Sequence, residues 1–212
     1  MGVRRPPVSH QEAFRVNPSK SAPAPARTDV RRALIEATAD LLGEVGPKSI
    51  SVRQIADRAG VNHGQIHHYF QGKRGLLEAT LRDLAKDHFE HSLKRSGGDA
   101  IPPPLSLSED RRYFRALCQA VMDDDLDLIR TVDSDHEISV PIRVLRELEG
   151  RKPDADPLEV KAMFALGAAM ELGWVAFEKL ILLTADVDPE DEEAFRSTIK
   201  RLMVERFYPM LG

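Results

Sequence analysis

SVRQIADRAGVNHGQIHHYF, residues 51–70, reads as two short amphipathic helices joined by a tight turn at Ala59, Gly60 and Val61. Ser51 suits an N-cap, because its hydroxyl can accept from a free N–H of the first turn. Val52, Ile55, Ala56 and Ala59 follow at i, i+3, i+4 and i+7 and make one apolar helix face. Gly60 stands where a left-handed terminal residue is needed, and Val61 can tuck beneath it. Asn62 can cap the next helix, whose inward side is Ile66, Tyr69 and Phe70. His63, Gln65, His67 and His68 are left for other faces, some of them outward. Gly64 is costly within a helix, so its presence suggests close approach to another backbone, either the preceding helix or a DNA strand. The pattern is a helix-turn-helix, whose second helix lies in a DNA major groove.

The flanks extend the picture. Residues 29–45 carry Val30, Ala33, Leu34, Ala37, Leu41, Leu42 and Val45 at helical spacing, and Gly46-Pro47 is read as the end. After the turn Gln71-Gly72-Lys73, Leu76, Leu77, Leu81, Leu84, Ala85 and Phe89 mark a longer helix. Three helices would bury one another and the fourth would lead away.

With these residues on the page, RRALIEATADLLGEVGPKSISVRQIADRAGVNHGQIHHYFQGKRGLLEATL resembles the N-terminal domain of TetR/AcrR-type one-component regulators. The resemblance rests on Gly46, Ser51, Ile55-Ala56, Ala59-Gly60-Val61, Gly64, Ile66, Tyr69-Phe70, Lys73 and Leu76-Leu77. It is sharp over about residues 28–90 and only architectural beyond. It departs at His67, where the family usually has a Tyr that touches a phosphate. An imidazole can still donate, and its charge depends on pH, so pH-sensitive DNA affinity is expected.

The net charge of −4 hides an asymmetry. Residues 1–86 hold 14 Lys and Arg against 8 Asp and Glu, whereas the remainder holds 16 against 26. A basic N-terminal part suits a chain that presents one end to phosphates. Cys118 is the lone cysteine, and nothing resembles a signal peptide, which favours a reducing cytoplasm. The apolar run 162–183 has the length of a membrane span, but Glu171, Glu178 and Lys179 interrupt it. A buried helix and no membrane partner are expected.

The fold class is all-α. A basic arm at 1–26 precedes a three-helix DNA-binding domain at 27–73 and a helical ligand-binding and dimerisation domain at 74–212. The arm is Pro-rich, low in apolar content, and reads as disordered. It is either an inert tail or, through Arg4, Arg5, Arg15, Lys20 and Arg27, a phosphate-following or minor-groove arm.

Further along, Ser108 with Glu109 and Asp110 is read as starting a helix with Phe114, Leu117, Cys118, Val121 and Met122. Asp123-Asp124-Asp125 reads as a solvated loop or acidic helix start, since three consecutive Asp diverge and do not make a metal site. A short helix is expected over 126–132 and another over 134–148, kinked or broken by Pro141. Two strong helices finish the chain, about 157–184 and 190–208. The first is apolar nearly all round and must be covered on more than one side. The second carries Phe195, Ile199, Leu202, Met203 and Arg206 on one stripe. Both would be satisfied by a four-helix bundle across a two-fold axis, giving a homodimer that reads a palindrome. The family resemblance implies the same pairing.

The resemblance also implies a pocket for a small-molecule effector. Phe114, Cys118, Met122, Phe164, Met170, Trp174 and Phe177 are its candidate walls, and each could equally be plain core. Glu171 within an apolar helix either faces a cavity, pairs with a cation across an interface, or has a raised pKa. His136 is a possible ligand partner or a solvent-facing side chain.

No cofactor and no metal are expected. His63 and His67 at i, i+4 could share a zinc ion, but no third ligand is placed by the sequence. Phosphate-cradling Gly loops, nucleophile elbows and Cys clusters are lacking, so an enzyme is not expected. The expected function is a ligand-responsive transcription regulator, a repressor released from a palindromic operator in double-stranded DNA. The alternative is an accessory or architectural DNA-binding protein without an effector. Ser51, Arg53, His67 and Lys73 are the candidate phosphate contacts. Asn62 caps the reading helix, while His63, Gln65 and His68 face base edges.

Overall fold

The computed structural model describes residue 2 and residues 27–134 and 137–207. Apart from residue 2, the arm of residues 1–26 lies outside the described residues, as does His136. The described residues form helices and turns, with no strand among them.

Helix α1 (Arg27–Ser49) packs Leu34, Ala37, Thr38, Leu41 and Leu42 inward. Gly46 breaks its regular path with φ 78° and ψ 163°, and the chain winds one more turn to Ser49. The expected stop at Gly46-Pro47 is thus a kink. Its cause lies across the fold: Asp123 accepts from the Lys48 N–H at 2.7 Å, and a Cβ on Gly46 would come within 2.8 Å of Asp123 Oδ2.

Helix α2 (Val52–Ala59) starts with a full capping box, Ser51 and Gln54 each bonding the other's backbone N–H. It ends at Gly60 in the left-handed region, φ 66°. The Val61 N–H then reaches back to the Ala56 carbonyl at 3.0 Å. Helix α3 (Gly64–Phe70) follows, and Asn62 Oδ1 accepts from the Gly64 N–H at 2.8 Å. Gly64 therefore opens the helix and does not sit within it. Its nearest neighbour is the Asn62 carboxamide, not a second backbone.

Helix α4 (Lys73–Arg95) buries Leu76, Leu77, Thr80, Leu81, Leu84, Ala85 and His88. The core it joins runs without a break across residue 73. Leu34, Leu42, Ile55, Ile66 and Phe70 pack in one cluster with Leu76 and Leu81, and further with Ala116, Ala120, Leu128 and Val132. Each large aliphatic side chain buried here stabilises by about 1.5–3 kcal/mol. Helices α2 and α3 are thus joined by hydrophobic contact to the elements beyond them.

Some of those elements differ from the expectation at their starts. Residues 106–109 form a tight 3₁₀ turn, and α5 (Arg111–Met122) begins only after Asp110. Helix α6 (Leu126–Asp133) is capped by Asp125, which accepts from the Leu128 N–H. Helix α7 (Val140–Arg151) is capped by Ser139, so Ser134, which caps the end of α6, and residues 137 and 138 are not part of it. Pro141 lies in its opening turn, where the missing N–H costs nothing, and it neither kinks nor breaks the helix. Helix α8 (Pro157–Thr184) has its expected bounds. Helix α9 (Glu192–Leu202) is shorter than expected and passes into a π-helical turn at Met203–Phe207.

Of the Asp123–Asp125 run, Asp124 is exposed while Asp123 and Asp125 are half-buried and engaged, and Asp125 makes the run the acidic start of the next helix. Besides Asp123 on Lys48, Asp125 takes Arg74 Nη1 through both oxygens at 2.8 and 2.9 Å. Arg112 of α5 reaches Glu36 and Asp40 of α1 at 2.6 and 2.8 Å. These partly exposed bonds are individually weak, but they frame the heavily packed α1–α5 interface on both sides.

Helix α8 is long and apolar enough to cross a membrane by length and composition. Two of its charged residues, Glu171 and Glu178, are engaged within the fold. Glu178 bonds Arg196 at 2.6 Å and Arg111 at 2.7 Å. Val160, Met163, Trp174, Val175 and Leu182 are buried, whereas Leu158, Leu166, Met170, Leu172, Phe177, Leu180 and Leu183 are exposed.

Candidate nucleic-acid interface and apolar cavity

The helix pair α2–α3 is held by its inward side chains: Ile55 and Ala56 on α2, Ile66 and Phe70 on α3. Arg31 of α1 lies over the Phe70 ring, 5.4 Å from its centre. With that side fixed, the remainder of α3 faces out. His63, His67 and His68 are exposed and Gln65 is half-buried. His68 stands edge-on to Tyr69 with ring centres 4.8 Å apart, which leans it along the helix. Asn62 is exposed and occupied as the cap.

Ser51 and Arg53 at the start of α2 are exposed, and Lys73 at the start of α4 is half-buried. Arg53 is loosely paired with Asp57 at 3.7 Å, both side chains well exposed. Ser51 is not free to serve an external group fully, since its hydroxyl both accepts from Gln54 N–H and donates to Gln54 Oε1. The face carries imidazoles, one carboxamide and flanking cations, with no acidic side chain on α3. It can offer donors and acceptors to base edges and charge to phosphates.

Behind it, α4, α5, α7, α8 and the 101–107 segment enclose a cavity of about 340 Å³. Its walls are apolar, with Ile101, Leu107, Leu117, Val144, Met163 and Phe164 among them, and its polar groups include His88 and Glu171. A second hollow of about 520 Å³ lies between the 98–100 turn and α7, but it is polar and open to solvent.

The sequence candidates for the pocket divide. Phe164 and Glu171 line the cavity. Phe114 and Trp174 pack with Leu105, Leu107 and Met203, with Cys118 against that cluster, and none of the three lines the cavity. Met122 is 82% exposed, Phe177 and Met170 also face solvent, and all three stand apart from it. Burial alone raises the Cys118 thiol. Among the stripe residues expected at a dimer interface, Met203 is instead buried and lines the cavity. Phe195 and Ile199 pack on the Trp174 cluster, while Leu202 and Arg206 are exposed.

Sequence reading missed His88, although its helix was recognised. It stacks on Tyr113 at 5.0 Å and its Nδ1 lies 2.8 Å from Asp110 Oδ2. Burial lowers its pKa, with the Asp110 carboxylate pulling the other way. At Asp110 burial raises the carboxyl, but hydrogen bonds from Arg95, His88 and His91 outweigh it and the pKa is lowered. Glu171 accepts from the N–H groups of Leu105 and Leu107. Burial raises its pKa against the pull of those two amides. Periodicity could not reveal His88, because it occupies an inward position that an apolar residue normally fills.

Fold and site together define a helix-turn-helix protein with an apolar cavity of about 340 Å³ behind α2 and α3. Residues 34–80 match the family described as bacterial regulatory proteins, tetR family. The chain is 43% identical over 94 residues to the HTH-type transcriptional regulator BetI of Yersinia pestis (strain Pestoides F), covering 44% of each chain. It is 51% identical over 65 residues to BetI of Klebsiella pneumoniae (strain 342), covering 31% of this chain and 33% of that one. The aligned part therefore spans under half the length of these curated relatives. In structure, a tetR-family transcriptional regulator from Streptomyces coelicolor aligns over 85% of this chain and 98% of its own, with a TM-score of 0.50 at 20% identity. A HlyIIR mutant protein aligns over 77% and 92%, with a TM-score of 0.54 at 15% identity. These two likenesses show the fold. The likeness to the tetR family is carried by the N-terminal domain, residues 34–80.

Proposed function

We propose that the chain is a homodimeric, ligand-responsive transcription regulator, a repressor that leaves a palindromic operator when a small molecule binds. The observation that carries this reading is the continuity of one hydrophobic core from α3 through α4 to α5 and α6. A change at the cavity, which α4 borders through His88, is thereby mechanically linked to the reading helix. Relatives named HTH-type transcriptional regulators support the DNA-binding half.

In this reading α3 enters the major groove. Gln65, His63 and His68 face base edges, and Arg53, His67, Lys73 and the rim of Ser51 fix the register on phosphates. One seven-residue helix reads few bases, so two subunits are needed. The exposed apolar side chains of α8, Leu166, Phe177 and Leu180 among them, with Leu202 of α9, supply the surface for pairing. The protein acts in the cytoplasm and catalyses nothing. Effector entry at the cavity favours a dimer with the wrong spacing between reading heads, with coupling of about 1–3 kcal/mol.

Selection of bound sequences from random duplex DNA tests the reading. A palindrome with half-sites about one helical turn apart is expected. Enrichment of single, unpaired half-sites would remove the dimer, and no enrichment would remove sequence-specific binding.

A further inference from the structure

Beside the hydroxyls of Ser106 and Tyr113, the cavity wall carries two residues that are hydrogen-bond acceptors. Glu171 is the first. Each of its oxygens accepts a backbone N–H, from Leu105 and from Leu107, which is the behaviour of a carboxylate. Among the described residues no Lys or Arg pairs with it, and Lys200 acts on it only at longer range. His88 is the second. Its Nδ1 faces Asp110, whose carboxylate is also held by Arg95 at 2.7 Å. An ionised Asp110 takes the Nδ1 proton as acceptor, so the neutral ring keeps its lone pair on Nε2. Neither Glu171 nor His88 offers a proton to the cavity, and Glu171 brings a negative charge without a paired countercharge.

An uncompensated carboxylate on an apolar wall is costly. A ligand that brings a positive charge relieves that cost, and charge-assisted hydrogen bonds are roughly twice as strong as neutral ones. A carboxylate ligand would meet Glu171 with like charge, and a neutral alcohol would leave it uncompensated. We propose that the cavity takes an amphipathic cation: an apolar body that fits 340 Å³ and one protonated amine that pairs with Glu171, with His88 Nε2 as a further acceptor. This deepens the effector reading above and rests on it only for the consequence at DNA.

Three probes with one apolar body separate the possibilities: octylammonium, 1-octanol and octanoate. Binding is followed on the full chain through Trp174, the sole tryptophan, which packs against the cavity residues Leu107 and Met203. Octylammonium is expected to bind at least about tenfold more tightly than 1-octanol, and octanoate more weakly than either. Glu171→Gln is expected to bring octylammonium and 1-octanol within about threefold of each other while 1-octanol still binds. An absence of octylammonium binding, an equal or better affinity for 1-octanol or octanoate, or a preference that survives Glu171→Gln would each overturn the proposal. The wild-type ranking decides if the variant folds poorly. If octylammonium shows the preference and leaves operator DNA bound, the charge preference stands and the effector reading fails. If 1-octanol is preferred and releases DNA, the effector reading stands and the cation proposal fails.

Discussion

His88 Nδ1 lies 2.8 Å from Asp110 Oδ2, and this pair joins α4, which follows α3, to the start of α5. Burial holds the His88 pKa below its ordinary value although Asp110 pulls it upward. The unfolded chain therefore takes up a proton near pH 6.5 that the native state refuses. The stability His88 contributes is complete above that pH and is lost as pH falls toward its native pKa. Thermal unfolding of the wild type is expected to weaken between pH 7 and pH 5, and His88→Asn to weaken less over the same interval. Asp110, whose pKa is lowered, loses its contribution only in the acid range below about 4, so the two windows are distinct. Parallel pH slopes for wild type and variant would show that His88 does not carry the linkage.

Gly75 marks a second contact that stability measurements can read. It sits in the first turn of α4, and a Cβ there would collide with the Phe70 carbonyl oxygen, a backbone atom that no rotamer change can move aside. Gly75→Ala is expected to lower stability by about 1–3 kcal/mol, seen as a lower urea midpoint with an unchanged slope. The loss should be accompanied by weaker DNA binding, because Phe70 ends the reading helix. An alanine variant as stable as wild type would mean that the α3–α4 join has more room than the structure gives it.

Gly75 also shows what was legible in the chain. Capping chemistry and short-range periodicity were readable: Ser51, Gly60 and Asn62 act where the sequence placed them, because their effects span only a few residues. Helix α8 was readable for the same reason, with Pro157 opening it and a long apolar run behind. Contacts between different helices were not. Gly75 looks like a helix residue until Phe70 is seen against it. Gly46 is explained by Asp123, 77 positions along, and the choice between a solvated loop and a helix start at Asp123-Asp125 is decided by the α6 cap and by Lys48 and Arg74 across the fold. The cavity was the least legible part. Large soft residues were its expected walls, yet Met122 and Phe177 are on the surface and Trp174 is core. Residue type gives the helix face only after the neighbours are known, and for Glu171 the sequence left three readings open.

Glu178 illustrates a buried charge whose partners come from two other helices. Its side chain is 8% exposed and bonds Arg196 of α9 and Arg111 of α5. Burial would raise its carboxyl, but Arg196 and Arg111 outweigh that and the pKa is lowered. Glu178→Ala leaves the half-buried Arg196 without its main partner. A loss of about 1–3 kcal/mol is expected, below the range for fully buried pairs because both arginines keep some solvent. A depressed carboxylate contributes stability that is present above its ordinary pKa and lost as pH falls through the native value. The gap between wild type and Glu178→Ala should therefore be full at pH 7 and close in the acid range below about 4.5. A gap that persists unchanged at pH 3 would assign the loss to packing instead of charge.

Gln65 is the side chain on which sequence discrimination by α3 turns. Its neighbours His63, His67 and His68 are more exposed, but only a carboxamide presents a donor and an acceptor side by side, the pattern that matches adenine N6 and N7. In the proposed operator complex, Gln65→Ala is expected to cost about 1–3 kcal/mol and to relax specificity at one position per half-site. Competition between the selected operator and versions altered at single base pairs reads this directly. The variant should lose its preference at one pair and keep it at the others, with the salt dependence of binding unchanged, since no phosphate contact has been removed. A uniform loss over all sequences, with a shallower salt slope, would make Gln65 a phosphate contact and move base reading to the three histidines.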